Sequence, residues 1–222
     1  MTELLKSGSA VECVYMMPGR TNAALQNLIK EHKILVKEVP KEKLNSICNG
    51  NHQGIAAQLS FADYKPLETL FEGRDECFLL LLDEITDPAN YGAIIRSAEA
   101  LGADGIIVSK RRSAPLNSYT FKTSAGAAAH IPISRSENLS RAIDLLKKNG
   151  FWIYGADMGG EDFKKLKFDK KTCLVIGSEG FGISQKIKEN CDFLVSIPMR
   201  GKINSLNASV AAGILLSHIE RV

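Results

Sequence analysis

From residue 77 onward the chain alternates short, continuously apolar runs with longer stretches that carry an apolar stripe, and no other feature narrows its fold as far. Cys77-Phe78-Leu79-Leu80-Leu81-Leu82 and Cys173-Leu174-Val175-Ile176 have no polar position to offer water. Such runs predict strands buried on both faces, and hence a mainly parallel sheet flanked by helices, an α/β fold. Strands are expected at 77–82, 105–109, 131–133, 151–155, 172–177 and 193–197. Helices are expected at 90–102, 137–149, 184–190 and 205–221, with a looser one near 118–128. Ligands of such sheets sit beyond the carboxyl ends of the strands.

Residues 1–64 read as a separate, small α/β domain. Residues 11–16 alternate like a strand, Pro18-Gly19 is a turn, and 20–31 put Ala24, Leu25, Leu28 and Ile29 on one helical stripe. A strand at 34–39, a helix at 41–48 entered through Pro40, a turn-rich loop at 49–54 and a strand at 55–61 complete it. The polar segment 65–74, with Pro66 and Gly73, is the expected linker to a domain over 75–222.

Charge constrains little: 28 Lys+Arg against 25 Asp+Glu leave a formal +3, spread over both halves. That balance does not announce a nucleic-acid binder, nor does it forbid a local phosphate-binding patch. The longest apolar run stops at Asp83, far short of the ~20 residues of a membrane span, and the first residues do not read as a secretory leader. Five scattered Cys and four isolated His give no metal-ligand cluster, so no metal is expected and a reducing cytoplasm is the natural compartment.

Three loops at strand ends carry candidate chemistry. In the first, running through Asp87-Pro88-Ala89-Asn90-Tyr91-Gly92, Asn90 is placed to cap a helix whose buried stripe is Tyr91, Ile94, Ile95, Ala98 and Leu101. Arg96 falls off that stripe, and a solvated Arg on a capped helix would look the same. In the second, Gly177-Ser178-Glu179-Gly180-Phe181-Gly182, glycines permit tight turns and close backbone approach to a ligand. It matches neither a P-loop nor a dinucleotide fingerprint, and Glu179 would repel phosphate, so a neutral or cationic ligand fits better. The third runs from Ile197-Pro198-Met199 through Ser205-Leu206-Asn207 into an Ala-rich helix that Ser205 or Asn207 could simply cap.

In this order the three loops resemble the signature motifs of the SpoU (TrmH-like) RNA ribose 2′-O-methyltransferases of the SPOUT superfamily. Asn90-x-Gly92-x-x-x-Arg96 matches the first, Ile176-Gly177-Ser178-Glu179-Gly180 the second, and Ile197-Pro198-Met199 with Ser205-Leu206-Asn207 the third. Lys122-Thr123-Ser124-Ala125-Gly126-Ala127 is similar to the family's small-residue segment between the first two. Asn51-His52-Gln53-Gly54-Ile55 resembles the His-Gln-Gly turn of the family's substrate-binding domain. Family members carry an extra strand ahead of the helix expected to begin at Thr2, so this domain is expected to start abbreviated.

The resemblance implies methyl transfer from S-adenosylmethionine to a ribose 2′-hydroxyl of structured RNA, large-subunit rRNA first and tRNA second. It implies a C-terminal trefoil knot and a homodimer formed through it. Cofactor contacts fall, largely through backbone, on Gly177, Ile197, Met199 and Leu206. The family assigns the 2′-hydroxyl to Arg96, but a guanidinium is effectively always protonated. Arg96 is therefore read as clamping RNA phosphate and stabilising the developing alkoxide, with phosphate or water sharing proton removal. Asn90, Ser205 and Asn207 would orient the ribose, and Glu179 would pair with Arg96 or hold a neighbouring donor. Arg20, Lys41, Lys43, Lys110, Arg111 and Arg112 are candidate phosphate contacts, each equally readable as solvated basic surface. A non-catalytic RNA-binding protein and a nucleotide-phosphate enzyme built on the 177–182 turn are the competing readings.

Overall fold

The computed structural model describes residues 11–20, 23–31, 34–48, 52–59, 64–202 and 205–219. The helix and abbreviation expected near Thr2 lie outside these residues. The chain forms two compact units, Met1–Asp63 and Tyr64–Val222.

In the first unit, β1 (Val11–Met16) pairs in parallel with β2 (Leu35–Glu38) and antiparallel with β3 (Ile55–Leu59), giving the order β2-β1-β3. Helix α1 (Ala23–Glu31) contributes buried Leu25 and Ile29 to a core with Val14 and Met16. Helix α2 (Lys41–Ile47) starts at Pro40 and buries Leu44. Its locked φ suits a helix entry, as the sequence suggested.

The second unit holds a six-stranded, all-parallel sheet, as the continuous apolar runs demand. The strands are β4 (Cys77–Leu82), β5 (Gly105–Ser109), β6 (Ile133–Ser136), β7 (Trp152–Asp162), β8 (Lys171–Ile176) and β9 (Phe193–Ser196), in the order β6-β5-β4-β8-β7-β9. Every residue of β4 is buried. Helices α3 (Pro88–Ala100), α4 (Ser118–Thr123), α5 (Leu139–Lys148), α6 (Gln185–Lys188) and α7 (Ala208–Leu216) flank it, and α3 packs along α7. Among the described residues no helix is long and apolar enough to cross a membrane.

Four details differ from the sequence reading. Segment 65–74 is no tether: Lys65 bridges to Ser134, Leu70 and Phe71 enter the core, and Leu70 covers Gly105 so closely that a Cβ there would lie 2.7 Å from it. Strand β7 does not stop at 155. It pairs with β9 through Ala156, departs, and pairs again at Glu161 and Asp162, with Gly160 pressed against the Leu194 backbone. Leu101 is exposed because it is the C-cap, where the chain leaves the helix. Helix α7 begins at Ala208 and ends at Leu216, shorter than the 205–221 stretch.

Leu70→Ala is expected to destabilise the second unit by about 2–5 kcal/mol, the cost of an unfilled buried leucine site. Urea unfolding checks this, and a residue in a free linker would shift the midpoint hardly at all.

Candidate active site

The first loop turns into α3 through Asp87, not Asn90. The Asp87 carboxylate accepts the Asn90 backbone N–H at 2.7 Å, and Pro88 supplies the first helical residue, whose missing N–H costs nothing there. Displacing Asn90 from the cap frees its side-chain amide. Gly92 is required by packing: a Cβ would lie 2.0 Å from Thr123 Oγ1 and 2.9 Å from the Ser124 backbone nitrogen, so α3 and α4 meet only across a glycine. Tyr91 beside it is buried, its hydroxyl without a hydrogen-bond partner among the described residues, and burial pushes its ionisation far above the usual phenol range. It therefore keeps its proton at neutral pH.

The second loop leaves β8 at Gly177 and closes on itself. Ser178 N–H donates to Gly182 O at 3.0 Å and Gly182 N–H returns to Ser178 O at 2.8 Å. A Cβ on Gly177 would sit 2.1 Å from the Gly182 carbonyl carbon. The loop ends where buried Asp83, just past β4, accepts the Ser184 backbone N–H at 2.8 Å. Asp83 went unnoticed as a site residue because a charge after an apolar run reads only as the end of a strand.

The third loop delivers Asn207 as the N-cap of α7. Its Oδ1 accepts Ser209 N–H at 2.9 Å and Val210 N–H at 3.3 Å. That capping fixes the amide's orientation, leaving Nδ2 to face the other two loops. Nδ2 donates to Asn90 Oδ1 at 2.9 Å and to Glu179 Oε1. Asn90 Nδ2 donates to the same Glu179 oxygen at 2.8 Å. The second motif's carboxylate thus gathers the amides of the other two.

Glu179 therefore holds neighbouring donors rather than Arg96. Arg96 is exposed on α3 and joins no hydrogen bond or ion pair among the described residues.

Beside this clasp lies a cleft of about 320 Å³. Gly177, Ile197, Met199 and Leu206, the four expected cofactor contacts, all line it, as do Glu179 and Ser205. Ile176, Val195, Ala208 and Leu215 give it an apolar floor. Among the described lining residues there is no Lys or Arg, and two are carboxylates, Asp157 and Glu179. Asp157, which the sequence reading missed, follows the first half of β7 and pairs with Lys188 Nζ at 2.9 Å. The Lys188 hydrogen bond holds its carboxyl below the usual range.

Burial pushes Cys191 up to about 12 and Cys173 higher, so neither supplies a thiolate nucleophile. No group of three or more potential metal ligands occurs among the described residues.

The candidate phosphate contacts are not brought together. In the second unit Lys110 pairs with Glu137, Arg112 pairs with Glu84 at 2.7 Å, and only Arg111 is exposed without an ion pair among the described residues. Acidic neighbours thus neutralise two of the three charges that looked like a basic patch. In the first unit Lys41 and Lys43 are exposed on α2, and the Arg20 side chain lies over Gly54.

Residues 77–217 match the profile of the SpoU rRNA methylase family, and residues 1–65 match that of the RNA 2′-O ribose methyltransferase substrate-binding domain. The YacO protein of Bacillus subtilis, assigned to the TrmH family of tRNA/rRNA methyltransferases, is 40% identical over 99% of this chain and 91% of its own length. An AdoMet-bound rRNA methyltransferase from Sinorhizobium meliloti is similar over 97% of this chain and 82% of its own, at 26% identity and a TM-score of 0.68. A TrmH/SpoU tRNA-modifying enzyme of A. aeolicus covers 68% of this chain and 78% of its own, at 28% identity and a TM-score of 0.60.

Asp83→Ala leaves the Ser184 N–H without its acceptor and is expected to cost about 1–3 kcal/mol in denaturant unfolding. Hydrogen exchange at Ser184 should rise more than at the β4 amides. Equal change at both would show that Asp83 does not hold this loop.

Proposed function

The chain belongs to the SpoU rRNA methylase family and is an RNA methyltransferase, and on that premise we propose that it transfers the methyl group of S-adenosylmethionine to a ribose 2′-hydroxyl of structured RNA, large-subunit rRNA in particular. The observation that carries this reading is the Asn90–Glu179–Asn207 clasp beside a cleft that no described cation lines. The rRNA preference draws on the length of the likeness, which takes in nearly all of this chain for the S. meliloti rRNA enzyme and a smaller share for the tRNA enzyme.

The residues present fit the cofactor. The cleft has the size of a small-molecule site, and glycine at 177 lets the 177–182 turn that lines it close tightly on itself. A lining with Glu179 and no described Lys or Arg suits a sulfonium and argues against a nucleotide phosphate. Gly177, Ile197, Met199 and Leu206 would hold the cofactor, which when bound supplies a methyl group already activated by the positive sulfur.

The chain's remaining task is to orient the 2′-hydroxyl and manage its proton. Asn90 and Asn207 each have an amide group held at the clasp, and with Ser205 they position the ribose. Arg96 is left available to grip the RNA phosphate and to stabilise negative charge as it develops on the 2′-oxygen. With its own proton permanently bound, Arg96 leaves the departing proton to phosphate or water.

We place the cofactor within a trefoil knot of the C-terminal motifs and read the protein as a homodimer through that region. The small residues Ala208, Ala211, Ala212 and Gly213 of α7 support close approach. Five free thiols favour a reducing cytoplasm. Arg20, Lys41, Lys43 and Arg111 are the proposed phosphate contacts, with Lys110 and Arg112 available only by leaving their carboxylate partners.

Arg96→Ala should lower methyl transfer by about 100-fold or more while the S-adenosylmethionine Kd stays unchanged. Normal turnover in that variant would remove Arg96 from the chemistry. Gly177→Val should abolish cofactor binding, measured by calorimetry, because the loop cannot accept a side chain.

Mapping 2′-O-methyl sites in total RNA with and without the active gene tests the substrate. A site lost from large-subunit rRNA is expected; a site lost only from tRNA redirects the assignment, and RNA binding without any methyl transfer would support a non-catalytic module.

A further inference from the structure

Phe181 is 94% exposed, more than any other large hydrophobic residue described. A phenyl ring so placed forgoes the burial that normally draws it inward, and at the mouth of a cleft its face is available to a flat ligand. It stands on the turn closed by the two Ser178–Gly182 backbone hydrogen bonds, and that closure holds the ring's backbone in place. A Cβ at Gly180 or at Gly182 would meet nothing within 4 Å, so the space beside Phe181 on both chain neighbours is open. The residue lines the same cleft as Glu179, but at its rim, whereas Ile176 and Val195 are buried at its floor.

We propose that Phe181 is a stacking platform for the unpaired base of the nucleotide whose ribose is methylated. The proposal rests on the ribose methyl-transfer reading and deepens it by naming what holds the target base. Only Gly180 separates Phe181 from Glu179, a span of at most about 7 Å between Cα atoms. The base is bonded to C1′, next to the carbon that bears the 2′-hydroxyl. A ribose oriented at the Asn90–Glu179–Asn207 clasp therefore carries its base into the reach of the Phe181 ring. Sequence-tolerant stacking on aromatic rings is how proteins take hold of bases splayed out of loops and bulges. It adds no charge to a cleft that no described cation lines.

The test compares Phe181→Ala, Phe181→Leu and Phe181→Trp in the full-length protein. The substrate is deproteinised ribosomal RNA from cells lacking the active gene. Ala and Leu should both lower kcat/KM for RNA by about 10- to 100-fold, while Trp stays within about threefold of the parent. The S-adenosylmethionine Kd and the oligomeric state should be the same in all four proteins.

Full activity in the Leu variant would overturn stacking in favour of simple apolar contact. A parallel loss of cofactor affinity would make Phe181 a cofactor contact, and a change in oligomeric state on Phe181→Ala would assign the ring to a second copy of the chain. A separate readout uses Phe181→Trp in a Trp152→Phe background, where a base stacked on the indole quenches its emission as RNA is added. Quenching without methyl transfer by the parent would sink the methyl-transfer reading and keep the platform. Methyl transfer without quenching would sink the platform alone.

Discussion

The pairing of β4 with β8 at the middle of the sheet is the constraint on which the rest of the second unit depends. Six residue pairs, from Cys77 with Lys171 to Leu82 with Ile176, hold two strands that are almost wholly buried. Their shared register brings both carboxyl ends to one level, where Asp83 N–H still bonds to Ile176 O at 2.9 Å. From that point one chain segment proceeds to Asn90 and the other to Glu179. The candidate site is thus set by a backbone ladder, and its polar groups contribute direction more than stability. Glu179 and Asn207 are exposed, so their hydrogen bonds compete with water and contribute little to folding.

Glycine and aspartate do complementary work around this ladder. Gly92 and Gly177 allow backbone and side chains to approach where a methyl group would collide. Asp87 and Asp83 then satisfy the backbone N–H groups exposed at the turns. Each carboxylate caps a chain reversal, and at Asp87 that releases a polar side chain for the clasp. Asn90 is free to meet Glu179 because Asp87 has taken over the cap.

Much of this was legible in the sequence, for identifiable reasons. Strands β1, β4 and β5 have the expected limits because their apolar patterns are bounded by polar or turn-forming residues. The far half of β7 was illegible because Gly159-Gly160 reads locally as a turn. Only the tertiary neighbour, Leu194, explains why Gly160 belongs in a strand. Segment 65–74 looked like a tether because Leu70 and Phe71 are too few to show a period, although both are core. The motif residues were visible by type and spacing, but their pairing was not. Glu179 was offered Arg96 or another donor, and only the fixed amide of Asn207 decides between them.

The order of strands also bears on how the chain reaches this state. Strand β8 lies between β4 and β7, both of which precede it in sequence. During synthesis the apolar β4 therefore waits for its inner neighbour until about ninety further residues have been made. Contacts so distant along the chain are slow to form, and an unpaired apolar strand is a template for association with other chains. The first unit, complete by residue 63, faces no such delay. The molecule thus acquires its two halves on different clocks, and its time of greatest exposure to aggregation falls on the half that carries the chemistry.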